Sequence, residues 1–197
     1  MGITNQFGDP RGLLGRLLVS GMNLGHTPMA KWGFTQITVP QKGEIADIGC
    51  GGGRNLRRLL ERSREGHVYG VDLSPVSVEK SRRLNRREVG KRCRVYQTGA
   101  QQLPFADGAL DLATAFETVY FWPNIVDCFR EVRRTLKSGG HFAVINDPGD
   151  PGKHWENRIP NMTAYSAEEI AGLMKQAGFA KTRITTQKYR YCVVGTA

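Results

Sequence analysis

Residues 44–53 are Glu-Ile-Ala-Asp-Ile-Gly-Cys-Gly-Gly-Gly, and this stretch decides the fold of the chain. Its first half is a short apolar run interrupted only by Asp47, which predicts a buried β-strand rather than a helix. Its second half holds four glycines, which permit backbone angles closed to other residues and let a ligand approach the main chain. Leu56, Leu59 and Leu60 follow at helical spacing. A strand, a glycine turn and a helix in this order predict a nucleotide-type site that faces the helix amino terminus.

The composition indicates one globular domain. The chain has 197 residues, of which 40% are hydrophobic and 23% charged, as is ordinary for a soluble protein with a real core. We expect a single domain over residues 1–197, with a helical cap in 1–40 and the core in 41–197. No apolar run approaches the roughly 18 residues that cross a membrane, and the polar amino terminus does not resemble a signal peptide.

The cysteines are widely separated in the sequence. None forms a C-x-x-C pair, and no histidine stands near one at the spacing of metal ligands. We therefore expect reduced thiols, a cytoplasmic protein and no metal site. The four are Cys50, Cys93, Cys128 and Cys192.

The positive charge is concentrated in one part of the chain. The formal net charge is +10, and residues 51–100 hold 13 lysines and arginines against 5 acids. Such a face attracts nucleic acid or an anionic membrane, but it is also typical of the solvated side of amphipathic helices. We favour the solvated side, because no aromatic residue interleaves with the basic stretches 54–64 and 80–94 to stack on bases.

The rest of the chain alternates between strand and helix patterns, which predicts a parallel sheet covered on both faces. The last two strands are close enough in sequence to form an antiparallel pair. Further strands are predicted at 66–72, 93–97, 109–116, 141–145, 182–187 and 189–195. Helices are predicted from the glycine turn to about Arg64, from Pro75 to about Val89, over 124–136 with a stop at Gly139-Gly140, and from Ser166 to Gly178.

The glycine pattern separates two classes of nucleotide ligand. A dinucleotide site of the G-x-G-x-x-G type would need glycine at position 54, where this chain has Arg54. The pattern is instead D-x-G-x-G-x-G, beginning at Asp47. An acid, Asp72, ends the second predicted strand, where it is placed to bind ribose hydroxyls.

Several motifs in order then resemble one family over most of residues 40–180. They are Asp-Ile-Gly-Cys-Gly-Gly-Gly (47–53), Gly-Val-Asp-Leu-Ser-Pro (70–75), Ala-Gln-Gln-Leu-Pro-Phe-Ala-Asp (100–107), Leu-Asp-Leu-Ala (110–113) and Arg-Glu-Val-Arg-Arg-Thr-Leu-Lys-Ser-Gly-Gly (130–140). The sequence is similar to class I S-adenosylmethionine-dependent methyltransferases of the small ubiquinone-biosynthesis-like (type 11) group. The resemblance implies an α/β, doubly wound, Rossmann-like fold with a mostly parallel seven-stranded sheet, an antiparallel C-terminal strand and an N-terminal helical cap.

The resemblance also implies a cofactor, S-adenosyl-L-methionine, with S-adenosyl-L-homocysteine as product. Asp47 would face its ammonium group through water, Asp72 would bind its ribose, and Leu73 would lie against its adenine. One departure concerns the adenine amino group: the family usually has Gly-Asp-Ala-Glu where this chain has Thr-Gly-Ala-Gln (98–101), so that contact falls to the backbone or to Gln101. The implied cofactor residues are Asp47, Gly49, Cys50, Gly51, Asp72, Leu73, Gly99, Ala100, Gln101, Phe116 and Glu117.

Methyl transfer asks mainly for alignment and exclusion of water, and a base is needed only when the nucleophile must lose a proton. We predict that His26 or Tyr120 positions or deprotonates the acceptor; an equally weighted alternative is that both serve packing or the surface. The residues expected to line the acceptor pocket are His26, Trp32, Glu117, Tyr120, Trp122, Asp147, His154 and Trp155.

The acceptor is predicted to be a small molecule, because the insert at 147–165 is too short for a large substrate domain. One alternative is an RNA or protein methyltransferase that uses the basic helices. Against it, residues 116–120 lack the Asn/Asp-Pro-Pro-aromatic motif of nucleobase amino methylation, and no cysteine pair suits pyrimidine carbon methylation. Another alternative is a non-catalytic S-adenosylmethionine-binding protein. The sequence is also compatible with a homodimer.

Overall fold

The structure is a computed structural model that describes residues 27–147, 159 and 161–197. The helices are α1 (Thr27–Gly33), α2 (Arg54–Arg62), α3 (Pro75–Leu84), α4 (Ile125–Thr135) and α5 (Ala167–Gln176), with a 3₁₀ turn at Val119–Phe121. The strands are β1 (Glu44–Ile48), β2 (His67–Asp72), β3 (Cys93–Gln97), β4 (Leu110–Phe116), β5 (Leu136–Asn146), β6 (Lys181–Gln187) and β7 (Arg190–Thr196).

The seven strands form one sheet in the order β3-β2-β1-β4-β5-β7-β6. Strand β7 is antiparallel to both of its neighbours, and the other pairs are parallel. The predicted seven-stranded, mostly parallel sheet with a reversed C-terminal strand is confirmed. The chain adds strands outward from β1 to β3 and then returns to the other side of β1 with β4. The carboxyl ends of β1 and β4 therefore lie at a topological switch point, where open α/β sheets bind ligands.

Two apolar cores cover the two faces of the sheet. One contains Phe129, Phe142 and Met174, beneath α4 and α5. The other contains Ile45 and Leu59, beneath α1, α2 and α3. Because side chains alternate along a strand, β5 contributes to both cores. The sheet is therefore doubly wound, as predicted.

One predicted helix end was wrong, and so was the stop signal assigned to another helix. Helix α3 stops at Leu84 and not near Val89, because Asn85 is buried and its Nδ2 donates to the carbonyl oxygens of Ser81 (3.0 Å) and Gly53 (3.1 Å). This side chain ties the end of α3 to the glycine loop. Helix α4 ends at Thr135 and β5 begins at the next residue, so the two glycines at 139–140 lie inside a strand.

The described part of the predicted cap packs over the ends of β4 and β5. At Gly33 a Cβ atom would lie 2.7 Å from Cγ2 of Ile145, so this close approach requires glycine. The Phe34 and Phe116 rings stack with their centroids 4.9 Å apart. Residues 1–26 of the cap lie outside the described residues, and the boundary at residue 40 stays a prediction.

All four cysteines are free and buried. Within residues 27–147, 159 and 161–197, no cluster of three His, Cys, Asp or Glu side chains is arranged to hold a metal ion. No helix in those ranges is both long enough and apolar enough to pass through a bilayer.

Candidate cofactor and acceptor site

The glycine loop is bound to the end of β2 by main-chain hydrogen bonds. The N–H groups of Gly49 and Cys50 both donate to the carbonyl of Val71, at 2.7 and 3.0 Å. The N–H of Gly51 donates to Oδ2 of Asp72 at 2.8 Å. The loop adopts this path through glycines with positive φ, 78° at Gly49 and 51° at Gly51. As a result, the loop and the acid at the end of β2 form one cradle.

Asp72 also joins the loop to the following helix. Its Oδ1 accepts from the N–H of Ser74 at 2.9 Å, and the Ser74 side chain caps α3 by accepting from the N–H of Ser77. Pro75 then occupies the first turn of α3, where its missing N–H costs nothing. The carboxylate is therefore held between two backbone segments.

The surface beside Asp72 is open and partly apolar. A Cβ atom on Gly51 would meet nothing within 4 Å, so the main chain of the loop is open to a ligand. Leu73 is 59% exposed, an unusual exposure for a leucine. A Cβ atom on Gly99 would touch Leu73 Cδ1 only at 4.0 Å. Ala100 and Gln101 follow on the same rim, and Gln101 is exposed.

Asp47 lies beneath the loop and is only 1% exposed. Thr114 Oγ1 donates to its Oδ1 at 2.8 Å. The pKa of Asp47 is raised to about 7, because burial outweighs the hydrogen bond from Thr114, which lowers the pKa, and the charge of Asp72 adds to the effect of burial. The predicted contact between Asp47 and the cofactor ammonium stays a prediction.

Cys50 turns its side chain away from the open side of the loop. The thiol is 7% exposed and lies 3.9 Å from Oγ of Ser81. Burial raises its pKa well above the ordinary value, and the charges of Asp72 and Asp47 act in the same direction. Only the main chain of Cys50 is placed to face a ligand.

Glu117 stands at the end of β4 in a conformation unusual for its residue type. Its φ is +55°, in the left-handed region that side chains disfavour, and its N–H donates to the carbonyl of Ile145 at 3.0 Å. The carboxylate accepts from the N–H of Asp147 and from the hydroxyl of Tyr120, the latter at 3.3 Å. Burial raises the pKa of Glu117 to about 8. This acid exchanges its proton near neutral pH.

Tyr120 contacts Glu117 but is a poor base. Burial raises the pKa of its hydroxyl well above the ordinary value, and the charge of Glu117 adds to this effect. The hydroxyl therefore stays protonated and acts as a hydrogen-bond donor. The main chain of Tyr120 accepts from the N–H of Thr163 at 2.9 Å, which joins the end of β4 to the segment before α5.

Asn146, at the end of β5, was not among the predicted site residues. It is 1% exposed, and its Nδ2 donates to the hydroxyl of Tyr191 at 2.8 Å. That hydroxyl gives its single proton to the carbonyl of Tyr165 at 3.0 Å, so the amide of Asn146 must be the donor in the first bond. Among the described residues, Oδ1 of Asn146 has no hydrogen-bond partner. Its only sequence signal was a polar residue at the end of an apolar strand.

The structure thus brings together two groups of predicted residues. The loop, Asp72, Leu73 and Gly99 lie at the ends of β1 to β3, whereas Glu117 and Tyr120 lie at the end of β4. Phe116 is 7% exposed and packs on Phe34. The predicted residues His26, His154 and Trp155 lie outside the described residues.

A glycine loop after β1 and an acid after β2, both at the switch point of a doubly wound sheet, define a Rossmann-like nucleotide-binding protein. The family model described as the methyltransferase domain, of the type 11 group, matches residues 46–144. The chain belongs to this family of class I S-adenosylmethionine-dependent methyltransferases. The cofactor that the family and fold imply is S-adenosyl-L-methionine.

Similar proteins include cycloartenol-C-24-methyltransferase 1 of Oryza sativa subsp. japonica, which is 30% identical over 157 residues, covering 73% of this chain and 45% of that protein. The uncharacterized methyltransferase YdaC of Bacillus subtilis (strain 168) is 22% identical over 149 residues, covering 76% of this chain and 78% of YdaC. This chain thus spans less than half of the rice protein.

A solved structure with the same fold is that of a methyltransferase in complex with the Trm112 methyltransferase activator of Haloferax volcanii. The TM-score is 0.78 at 21% identity, and the match covers 91% of this chain and 93% of that chain. At this identity the likeness establishes the fold.

Proposed function

We propose that this chain transfers the methyl group of S-adenosyl-L-methionine to a small-molecule acceptor held at the ends of β4 and β5. The observation that carries the proposal is the cradle in which the N–H of Gly51 and the carboxylate of Asp72 meet at 2.8 Å. Its position at the switch point, in a chain of this family, supports cofactor binding there.

In this proposal, each part of the cradle has a role in holding the cofactor. Asp72 binds the ribose hydroxyls, and the exposed Leu73 packs against the adenine. The main chain at Gly49 and Gly51 lies along the methionine part, and Asp47 lies beneath it. The bound cofactor supplies a methyl group on sulfonium that is already activated for displacement by a nucleophile.

The residues at the acceptor end align the acceptor and provide one group that can hold a proton. Tyr120 positions the acceptor by accepting a hydrogen bond at its hydroxyl oxygen, since its single proton goes to Glu117. Burial raises the pKa of Glu117 to about 8, so this group takes the proton that a nitrogen or oxygen nucleophile loses only in the molecules where it is ionised, and transfer should increase as pH rises toward 8. The buried Oδ1 of Asn146 accepts a hydrogen bond from the acceptor, which removes the cost of about 1–3 kcal/mol of leaving a buried acceptor without a partner.

These side chains favour acceptors whose reactive atom carries hydrogen. The rice relative is named as a methyltransferase of a sterol carbon, so a sterol is the necessary competitor in any test. A carbon nucleophile would make little use of the polar groups at Tyr120 and Asn146.

Two measurements test the proposal. Calorimetry should show binding of S-adenosyl-L-methionine and of S-adenosyl-L-homocysteine, and its absence would contradict the proposal. Transfer of a labelled methyl group should then be measured to amines, phenols, carboxylic acids and sterols. Cofactor binding with no transfer to any of them would favour the non-catalytic cofactor-binding protein.

A further inference from the structure

A basic groove runs between α2 and α3 on the outer side of the sheet. It has a volume of about 650 Å³. Its walls carry five arginines and two glutamates, with no lysine and no aromatic side chain. The lining residues are Arg57, Leu60, Glu61, Arg64, Leu84, Asn85, Arg86, Arg87, Glu88 and Arg92. We call this surface the arginine groove.

The arginine groove lies away from the cofactor cradle. Helix α2 starts at the glycine loop and ends at Arg62, near the amino ends of the strands. Residues 86–92 lead from α3 to the start of β3 at the same amino edge, whereas Asn85, at the inner end of the groove, reaches the carbonyl of Gly53 behind the glycine loop. In a parallel sheet this edge is opposite the carboxyl ends that bind ligands. A partner in the groove would therefore leave the proposed acceptor site uncovered.

The protein neutralises this charge only in part. Arg57 pairs with Glu61 at 3.1 Å, and Arg92 pairs with Glu88 at 3.0 Å. Among the described residues, the other three arginines of the groove have no carboxylate partner; they are Arg64, Arg86 and Arg87. The groove therefore keeps an excess of positive charge that an anionic partner would neutralise.

Basic side chains outside the groove extend the same positive field. Burial lowers the pKa of Lys80, and repulsion by Arg83 and Arg54 lowers it further. Arg58 shows the same pattern, with burial first and the charges of Arg54 and Arg62 after it. Like charges that destabilise one another in this way would be relieved by an external anion.

We propose that the arginine groove binds the phosphate backbone of duplex nucleic acid and docks the protein there without reading sequence. Guanidinium groups form bidentate hydrogen bonds with phosphate, and all five cationic side chains of the groove are arginines. In a duplex the bases are already stacked, so the backbone is bound without the aromatic platforms that single strands use.

A membrane surface fits the groove less well. Proteins that lie on membranes insert apolar side chains beside their basic residues. Within the groove only one large apolar side chain is exposed, Leu84, at 37%. The groove is also concave, which suits the ridge of a nucleic acid backbone better than a flat bilayer.

Binding of a short RNA duplex of mixed sequence should be measured by fluorescence anisotropy against salt concentration. If the three arginines without carboxylate partners each neutralise one phosphate, the slope of log K against log salt is about −3. The double variant Arg86→Glu/Arg87→Glu should weaken binding at least tenfold at low salt and reduce the slope by about 2. A duplex of different sequence should bind equally.

The matched control is the double variant Arg130→Glu/Arg133→Glu on α4, which makes the same change of charge beside a different groove. It should leave most of the duplex affinity in place. Equal losses in the two double variants would mean that only net charge matters, and would overturn the proposal. The absence of duplex binding, tighter binding of a single strand, or binding to anionic phosphatidylserine vesicles in place of RNA would also overturn it.

Cofactor affinity is a separate readout. Calorimetry with S-adenosyl-L-homocysteine should give the same affinity for wild type and for Arg86→Glu/Arg87→Glu, since the groove lies at the opposite edge of the sheet. If the double variant loses affinity for both the duplex and S-adenosyl-L-homocysteine, it has a folding defect. The single variant Arg87→Gln, which keeps a long polar side chain, then tests the proposal: it should weaken duplex binding and leave cofactor binding unchanged.

Discussion

The two ends of the candidate site are built in different ways. At the donor end, formed by β1 and β2, an acid accepts hydrogen bonds from the backbone of residues close to it in sequence, as in the pair Asp72 and Gly51. At the acceptor end, formed by β4, β5 and β7, Glu117 and Asn146 are held by residues from distant segments. Hydrogen bonds to the main chain therefore hold the first end in place, whereas the second end depends on side chains collected from several parts of the chain.

The donor and acceptor ends meet where the side chain of Thr118 covers Gly49. We expect a substitution at this contact to destabilise the protein more than any other considered below. A Cβ atom on Gly49 would lie 2.7 Å from Cβ of Thr118, and φ there is +78°. We expect Gly49→Ala to lower the free energy of unfolding by about 3 kcal/mol or more, since overpacking and a left-handed backbone add together. Urea denaturation measures this.

The matched control for this contact is Gly51→Ala. Gly51 also has positive φ, 51°, but a Cβ atom there has open space around it. Its cost should be only the backbone part, about 1–2 kcal/mol. Equal losses in the two variants would show that the two ends are not coupled through Thr118.

The donor end should depend on one carboxylate. We expect Asp72→Ala to weaken the binding of S-adenosyl-L-homocysteine by about 10- to 100-fold, because charged hydrogen bonds of about 1.5–3 kcal/mol are lost. Calorimetry measures the change. The control Asp107→Ala removes an exposed acid paired with Arg134 and should leave affinity unchanged. Unaltered affinity in Asp72→Ala would remove the acid from the cofactor site.

At the acceptor end, the buried Glu117 should make the free energy of unfolding depend on pH. The folded protein keeps a proton on Glu117 up to a pKa of about 8, whereas the unfolded chain releases it near 4.5. Stability from this group is therefore present at low pH and is lost as pH rises between these values. Between pH 5 and 8, wild type should lose roughly 3–4 kcal/mol relative to Glu117→Gln, since each pH unit in this window costs about 1.4 kcal/mol. Parallel stability curves for the two proteins would contradict the raised pKa.

Asn146 should matter least for stability. The variant Asn146→Leu loses the bond to Tyr191 but also removes an oxygen that has no partner, so we expect a change within about 1 kcal/mol. Tyr191→Phe keeps the orphaned amide and removes its one partner, and should cost more. If urea denaturation shows a larger loss of stability for Asn146→Leu than for Tyr191→Phe, the stabilising role belongs to Asn146 itself.

The sequence predicted the donor end well because its signals are local. The glycine spacing, Asp72 and Pro75 lie within about thirty residues, and each acts through the backbone that its own residue type determines. The sheet followed from the alternation of strand and helix patterns, and the reversed β7 followed from its short connection to β6. The end of α3 was missed because it depends on Asn85 reaching the carbonyl of Gly53, a contact across 32 positions.

The acceptor end was predicted only in part because its properties arise from tertiary contacts. Glu117 was named for its place after β4, but its left-handed backbone and its raised pKa come from Ile145 and from burial. The sequence marks Asn146 only as a polar residue at the end of an apolar strand, because its unpartnered oxygen exists only once Tyr191 and Tyr165 are in place. The structure places Tyr120 beside Glu117, and its role in the reaction stays a proposal.

Alkylation of the buried thiol of Cys50 reports on opening of the glycine loop. A thiol reacts with alkylating reagents only as the thiolate and only when the reagent reaches it. The packed loop prevents the reaction in two ways. It keeps reagents away from Sγ, and it raises the pKa of the thiol so that little thiolate forms. Alkylation at Cys50 therefore requires the loop to open, and when closing is faster than the reaction its rate reports the population of the open state. A ligand that holds the loop closed would lower the rate of alkylation at Cys50 in proportion to its occupancy.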